Sequence, residues 1–223
     1  MTAVSDYFVD DIIFPKTKGK GSKIDHSAPT FPWRDLEFLE LPDPSGTDSP
    51  QLTTFRTPVR CNFYQTSASS DKMDIRAHVP HDWLPGSDAY FHVHWAHDAT
   101  SISGNIVFDF DSTYAKGHDQ AAFPAAKNLE LTYNTVDIST TPQYQHMITE
   151  IPWCVSGGSA TEFDSDDIEV DGLIIGTLTM TTLPTLAGGS TVSGQPGIFI
   201  FRADMHYQST EIGTKNKSPD FWT

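Results

Sequence analysis

The sequence predicts an all-β protein, an antiparallel two-sheet sandwich of jelly-roll type with extended N- and C-terminal arms. Three observations lead to this prediction. Apolar and polar residues alternate through much of residues 51–208, which is the period of a strand with one buried face. The 223 residues include 15 glycines and 15 prolines, which are typical turn residues. No stretch is rich in Ala, Glu, Lys and Leu as long helices are.

Residues 1–50 are predicted to form an extended N-terminal arm. They contain six of the fifteen prolines and a lysine-rich stretch at 16–23. Because proline donates no backbone hydrogen bond, we expect no regular ladder in this segment. Its apolar residues, Phe14 and Phe31 to Trp33, are the natural anchors against another surface.

Residues 51–208 are predicted to form the sandwich, and residues 209–223 a C-terminal arm. On one predicted strand, Ile198, Ile200 and Arg202 share a face. Eight antiparallel strands with loops of uneven length are typical of a jelly roll, and 115–127 and 155–171 are long enough to be Greek-key crossings. The predicted strands are 51–64, 73–79, 89–97, 105–114, 128–138, 143–151, 172–182 and 197–208.

The charge is concentrated in the body. The net charge is −15, and residues 26–210 hold 8 basic and 23 acidic residues, whereas both ends are neutral. A body of this charge repels a phosphate backbone, so we expect neither direct nucleic-acid binding nor binding to an anionic membrane. No stretch is apolar enough for a spanning helix, and the N-terminus, in which Asp6, Asp10 and Asp11 come before any lysine, does not resemble a secretory signal.

The stretch 91–98 is the densest candidate for chemistry. His92 and His94 point the same way on a strand, which suits two imidazoles on one metal, with His97 or Asp98 as the third ligand. Gly86, His92 and His94 resemble the first half of the metal motif of the cupins, a jelly-roll enzyme superfamily. The family's Glu is absent here, where only Asp98 stands, and its second motif is not found. The alternative, which we favour, is a polar layer or interface opposite a core face of Phe91, Val93 and Trp95.

Other motifs are interpreted structurally. We expect His81 to Trp83, after His78, to form a turn in which Asp82 bonds its own backbone and Trp83 packs over the sheet end. The acidic stretch 162–171 lacks the spacing of a calcium loop and predicts a solvated loop. Cys61 and Cys154 are expected to be reduced and buried. We predict no catalytic residue, and no cofactor other than the one alternative, a divalent metal on the histidine strand.

Residues 11–21, 80–88, 92–95, 113–118 and 206–220 resemble blocks in structural proteins of tailed bacteriophages. The resemblance extends over most of the chain and includes no catalytic motif. Among virion proteins, an acidic β-sandwich with an extended arm looks like a capsid cement or decoration protein. Such proteins sit as trimers over the joints of the major capsid lattice. The resemblance therefore implies a protein made in the host cytoplasm and located on the outer capsid surface, with the major capsid protein and copies of itself as partners.

The predicted function is thus that of a non-enzymatic capsid cement protein that stabilises the lattice through arm and trimer contacts. One alternative is a tail or receptor-binding virion component, and a second is a cupin-like metalloenzyme using His92 and His94, with His146 or His206 as a further ligand. The basic residues of the arms are expected to meet acidic surfaces of neighbouring subunits. The predicted assembly residues are Phe14, Lys16, Lys18, Lys20, Lys23, Trp33, Lys215, Lys217, Phe221 and Trp222.

Overall fold

The computed structural model describes residues 11–14, 22–25, 31–42, 49–65, 71–134, 141–210 and 217, with only the backbone described at 11–14, 22–25, 41–42 and 133–134. These residues contain no α-helix and a single 3₁₀ turn, Ser165–Asp167. Their strands are β1 (Asp11–Phe14), β2 (Ser22–Asp25), β3 (Trp33–Glu37), β4 (Leu39–Pro42), β5 (Gln51–Arg56), β6 (Val59–Tyr64), β7 (Lys72–His78), β8 (Ala89–Ala96), β9 (Ser101–Ser103), β10 (Asn105–Ala115), β11 (Lys127–Asn134), β12 (Met147–Val155), β13 (Phe163–Asp164), β14 (Leu173–Thr182), β15 (Thr185–Ala187), β16 (Thr191–Val192), β17 (Gln195–Pro196) and β18 (Ile198–Gln208).

Two sheets form the body of the protein. The smaller has the order β11-β10-β14-β7-β4, and the larger has the order β13-β12-β8-β18-β6-β5, with β3 also paired to β18. Eight main strands follow one another along the chain: β6, β7, β8, β10, β11, β12, β14 and β18. Counted in that order, the larger sheet contains strands 6-3-8-1 and the smaller contains 5-4-7-2. This arrangement of two interlocked Greek keys is the jelly roll, and the predicted all-β sandwich is confirmed.

Part of the segment predicted as an N-terminal arm belongs to the sandwich. Strand β3 pairs with β18 in the larger sheet, and β4 pairs with β7 in the smaller. Between these strands Phe38 is buried, with its ring centroid 5.7 Å from that of Phe91 and 6.1 Å from that of Phe110. The expectation that residues 1–50 have no regular ladder is wrong for 11–14 and 22–25, where β1 pairs with β2, and it is also wrong for residues 33–42. The reason is local, because no proline interrupts the apolar alternation between Pro32 and Pro42.

The predicted strand bounds differ from the observed ones, and at two strands the difference changes the local structure. The run 51–64 is a hairpin of β5 and β6, because Pro58 has no N–H to donate and the chain turns back at this point. The strand predicted at 143–151 is β12, which begins four residues later, at Met147. Tyr144 instead lies in a loop with a positive φ of 67°, and its N–H donates to the carbonyl of His97 at 2.8 Å.

The core lies between the two sheets and is dominated by aromatic side chains. Phe91 of β8 stacks on Phe110 of β10 with ring centroids 4.0 Å apart and planes 14° apart, so the sheets are in direct contact here. The indole N–H groups of Trp95 and Trp153 donate to the hydroxyls of Thr149 and Ser112, so these buried polar atoms are satisfied. This filled interior makes the two outer faces of the sandwich the available surfaces.

Candidate functional site

Strand β8 divides its side chains between the two faces of the larger sheet. Phe91, Val93 and Trp95 are completely buried in the core between the sheets, as predicted. Because alternate residues of a strand point to opposite faces, His92 and His94 lie on the outer face of that sheet. The histidine strand thus contributes to the outer surface of the sandwich and not to its interior.

Neighbouring strands place further polar residues beside these histidines. In the antiparallel registers, His92 lies opposite Glu150 of β12 and opposite Asp204 of β18. A register shift between Ile200 and Arg202 interrupts β18, and an extra residue of this kind reverses the alternation of faces. The prediction that Arg202 shares a face with Ile200 is therefore wrong. We call the resulting group the outer-face cluster; it comprises Asp35, His92, His94, His146, Glu150, Arg202, Asp204 and His206.

Asp204 is the buried carboxylate of the outer-face cluster, with 1% of its surface exposed. Its oxygens lie 2.8 Å from Arg202 Nη2, 3.2 Å from His94 Nε2 and 3.4 Å from His92 Nδ1. Burial alone would raise the pKa of Asp204, but the contact with His92 and the charges of His94 and Arg202 outweigh burial and lower this pKa. Asp204 is accordingly the fixed negative charge around which the cluster is arranged.

His92 lies at the centre of the outer-face cluster and has 1% of its surface exposed. Its Nε2 contacts Glu150 Oε2, and its ring centroid is 3.8 Å from that of His206. Burial lowers the pKa of His92, but the contacts with Asp204 and Glu150 outweigh burial and raise it above its ordinary value. Two sets of potential metal ligands include this ring: His92 with His94 and Asp204, and His92 with Glu150 and His206.

His94 has a different environment from His92. Its Nδ1 lies 2.8 Å from His146 Nε2, and the two rings are stacked with centroids 5.0 Å apart. Burial lowers the pKa of His94, and the nearby carboxylate of Asp204 does not offset this effect. His146, proposed from the sequence as a further ligand, thus reaches the cluster through His94.

His97 and Asp98 are not brought to the outer-face cluster. His97 is completely buried, and the carboxylate of Asp98 accepts hydrogen bonds from Ser190 N at 2.9 Å and 3.0 Å and from Ser190 Oγ at 2.5 Å. The prediction that one of them completes a ligand set with His92 and His94 is wrong, because β8 ends at Ala96 and the alternation stops there. Asp204, 110 positions from His94, occupies that role, while Glu150, 58 positions from His92, belongs to a separate set with His92 and His206.

A second cluster surrounds Asp171, at the end of the acidic stretch predicted to be a solvated loop. His78 Nε2 lies 3.0 Å and His81 Nε2 2.8 Å from Oδ1, while His118 Nε2 lies 2.8 Å from Oδ2. Burial would raise the pKa of Asp171, but the hydrogen bond from His118 and the charges of His81 and His78 lower it. Sequence reasoning missed this cluster, because Asp171 and His118 are 53 positions apart.

The turn at 80–83 is closed by the Trp83 N–H, which donates to the carbonyl of Pro80 at 3.1 Å, and Asp82 also connects it to residues at the end of β18. Asp82 accepts hydrogen bonds from the hydroxyls of Tyr207 at 3.0 Å and Ser209 at 2.6 Å, and it lies 3.1 Å from Arg34 Nη1. Trp83 is completely buried and stacks on Tyr207 with ring centroids 5.2 Å apart. Trp83 therefore packs over the sheet end as predicted, whereas Asp82 accepts hydrogen bonds from hydroxyls that are distant in the sequence.

The predicted assembly residues fall largely outside the described part of the chain. Trp33 is half exposed, and its ring packs edge-on against Tyr90 on the outer face at a centroid distance of 5.7 Å. Lys217 is exposed. Phe14 and Lys23 are described in their backbone only, and the remaining residues lie outside the described part: Lys16, Lys18, Lys20, Lys215, Phe221 and Trp222.

The two cysteines are free thiols of low reactivity. Cys154 is buried, as predicted, but Cys61 is partly exposed. Burial raises the pKa of Cys154 to about 12 and also raises the pKa of Cys61. Because the thiolate is the nucleophilic form, neither residue is suited to nucleophilic catalysis.

Comparison with known proteins yields a distant structural likeness. No protein-family model matches the chain, and no curated protein matches it. Among solved structures, it is similar to one described as xylan-binding module CBM15, at 6% sequence identity and a TM-score of 0.35, over 80% of this chain and 97% of that chain. At this distance the likeness carries no argument about function. Among the described residues, there is no helix with the length and apolar character to cross a membrane.

Proposed function

We propose that the chain is a structural protein of a tailed-bacteriophage virion. In this role it is a cement protein that sits as a homotrimer on the outer capsid surface and stabilises the lattice of the major capsid protein. The proposal starts from the resemblance of five sequence segments to virion structural proteins. The jelly roll is compatible with it, since capsid domains use this architecture, although lectins and cupins share the fold.

The observation that best supports this proposal is the composition of the outer face of the larger sheet. Trp33, with 50% of its surface exposed, lies at one end of the face, and Ile148, with 44% exposed, lies on β12 opposite His94. Aromatic residues and arginine are enriched at protein interfaces, and this face presents Trp33, Tyr90 and Arg202 together. A sheet face of mixed aromatic and charged character, with Trp33 and Ile148 exposed among the described residues, is suited to docking against another protein.

The placement of the histidines favours an assembly role over a cupin-like enzyme. His92 and His94 face away from the interior, and the stacked Phe91 and Phe110 fill the space between the sheets. A cavity of about 440 Å³ lies between the loops near Tyr114 and Phe163, and none of the described histidines lines it. A second cavity, of about 260 Å³, is lined in part by Arg202 of the outer-face cluster, but it is open to solvent and no described histidine lines it. Among the described residues, a metal on the outer-face cluster would therefore have no enclosed substrate pocket beside it, which catalysis ordinarily requires.

The charge distribution supports contact between copies of the chain. Residues 26–210 carry 23 acidic and 8 basic residues, while residues 1–25 carry four lysines against four aspartates. A lysine-bearing segment attached to an acidic body is attracted to the acidic surface of a neighbouring copy. Such contacts weaken at high ionic strength, so assembly is more sensitive to salt than folding is.

The test is removal of the chain from the virion that carries it. Particles lacking the chain should release their DNA at a lower temperature than complete particles, and adding back the purified chain should restore heat resistance. Ile148→Asp should fail to restore it, whereas Leu173→Asp, an exposed apolar position on the other sheet, should succeed. Unchanged heat resistance after removal would refute the cement role, and immunogold label on the tail would instead identify a tail or receptor-binding component.

A further inference from the structure

We propose that His92, Glu150 and His206 form a binding site for one divalent transition-metal ion on the outer face of the larger sheet. One ligand atom from each of these side chains lies within 4.8 Å of the other two. The three residues come from adjacent strands, β12, β8 and β18. Ligands on paired strands are held more rigidly than ligands on loops. This site is independent of the proposed capsid function.

The donor set determines the class of metal. Two imidazoles and one carboxylate suit Zn²⁺ and neighbouring late first-row ions, whereas Mg²⁺ and Ca²⁺ prefer all-oxygen sites. Ligand atoms about 2.0–2.1 Å from a tetrahedral ion lie roughly 3.3 Å from one another. The contact between His92 Nε2 and Glu150 Oε2 is shorter than that. Because the Glu150 side chain is half exposed, it can rotate and move its carboxylate away from His92 Nε2 by the fraction of an ångström that an ion between the two atoms requires.

The surrounding groups match those that support metal-binding imidazoles. A metal-bound histidine usually has a carboxylate beside its other ring nitrogen. His92 Nδ1 is buried without a hydrogen bond of normal geometry and faces Asp204 Oδ1 at 3.4 Å. His206 Nε2 lies 2.5 Å from Asp35 Oδ1. Asp204 and Asp35 thus orient the two rings and add negative charge beside the ion.

The alternative ligand set, with His94 and Asp204, is less suitable. Arg202 Nη2 lies 2.8 Å from Asp204 Oδ2 and already neutralises that carboxylate. A divalent ion placed there would be repelled by the guanidinium at short range. Glu150 has no such cation among its described contacts. With 51% of the Glu150 side chain and 38% of the His206 side chain exposed, an ion can enter from solvent while buried His92 anchors it.

The test is titration of the untagged, chelator-treated chain with Zn²⁺ by calorimetry, with Co²⁺ as a spectroscopic probe. We expect one equivalent of bound metal and a visible Co²⁺ spectrum typical of low coordination number. Glu150→Gln and His206→Gln should each weaken binding at least tenfold, because each removes one ligand. His118→Gln and Glu130→Gln, in the Asp171 cluster and on the other sheet, are the matched controls and should bind as the wild type does.

Imidazole NMR signals of the wild-type chain give a second readout that needs no variant. Zn²⁺ should shift the signals of His92 and His206 and leave those of His78, His81 and His118 in place. The proposal is overturned by less than a tenth of an equivalent of bound metal. It is equally overturned by wild-type affinity in both Glu150→Gln and His206→Gln, or by loss of binding in His118→Gln.

Discussion

Phe91→Ala should be among the most destabilising single substitutions in this chain. Phe91 has none of its surface exposed and stacks on Phe110 of the opposite sheet, with ring centroids 4.0 Å apart. Its ring centroid is also 5.7 Å from that of Phe38. Full burial of a phenylalanine side chain is worth about 1.5–3 kcal/mol. The cavity left by truncation raises the total cost to about 3–5 kcal/mol. We expect the free energy of unfolding to fall by that amount.

The assay is urea unfolding followed by tryptophan fluorescence. Phe123→Ala is the matched control, because Phe123 is 45% exposed and its truncation should cost less than about 0.5 kcal/mol. A double-mutant cycle with Phe110→Ala isolates the contact between the sheets, for which we expect a coupling energy of about 0.5–1.5 kcal/mol. A cost below about 1 kcal/mol for Phe91→Ala, or a coupling near zero, would refute the assignment of this face of β8 to the core.

Three further predictions concern polar groups. Burial lowers the pKa of His97 from its ordinary value of 6.5. The unfolded chain therefore binds more protons than the folded chain, and stability is lost as pH falls below 6.5. In urea unfolding, His97→Gln should reduce this loss by at most about 1.4 kcal/mol per pH unit. The lowered pKa of Asp171 stabilises the fold above pH 3.8, and this stability is lost as pH falls through the folded-state pKa. Asp171→Asn should therefore destabilise more at pH 6 than below pH 3, as measured by thermal melting. Asp82→Ala removes the carboxylate that accepts from the hydroxyls of Tyr207 and Ser209 and should cost about 1–3 kcal/mol in thermal unfolding.

Each of these three has a contradicting outcome. A pH dependence between 7.5 and 5.5 that is identical in the wild type and His97→Gln would show that His97 does not titrate with folding. Equal destabilisation by Asp171→Asn at pH 6 and below pH 3 would show a steric effect and no electrostatic one. A melting temperature unchanged by Asp82→Ala would refute the tertiary role of Asp82.

The strand pattern was predictable from the sequence where one face of a strand is buried. The alternation in β8 placed Phe91, Val93 and Trp95 in the core correctly, because burial of one face imposes a period of two. The prediction failed where that alternation breaks. The bulge before Arg202 moves this residue to the other face, and single-sequence periodicity carries no signal for a bulge.

The prediction made from proline content was also wrong for the segment around Phe38. Proline content suggested an arm, but the proline-free residues 33–41 are long enough to add a strand to each sheet. The partners in the two histidine clusters were not predictable, since Asp204 and Asp171 reach their histidines only through strand pairing distant in sequence. Register, which places Asp204 beside His92, is a property of the folded sheet.

The measurement that tests the central claim most directly is a difference reconstruction of virions with and without this chain by single-particle electron microscopy. The capsid cement proposal predicts extra density on the outer capsid surface, with trimers at the lattice joints and a jelly-roll body resolved in each subunit. We expect the outer face of the larger sheet, with Trp33 and Ile148, to contact a neighbouring subunit. Difference density confined to the tail, or no difference density at all, would contradict the proposal.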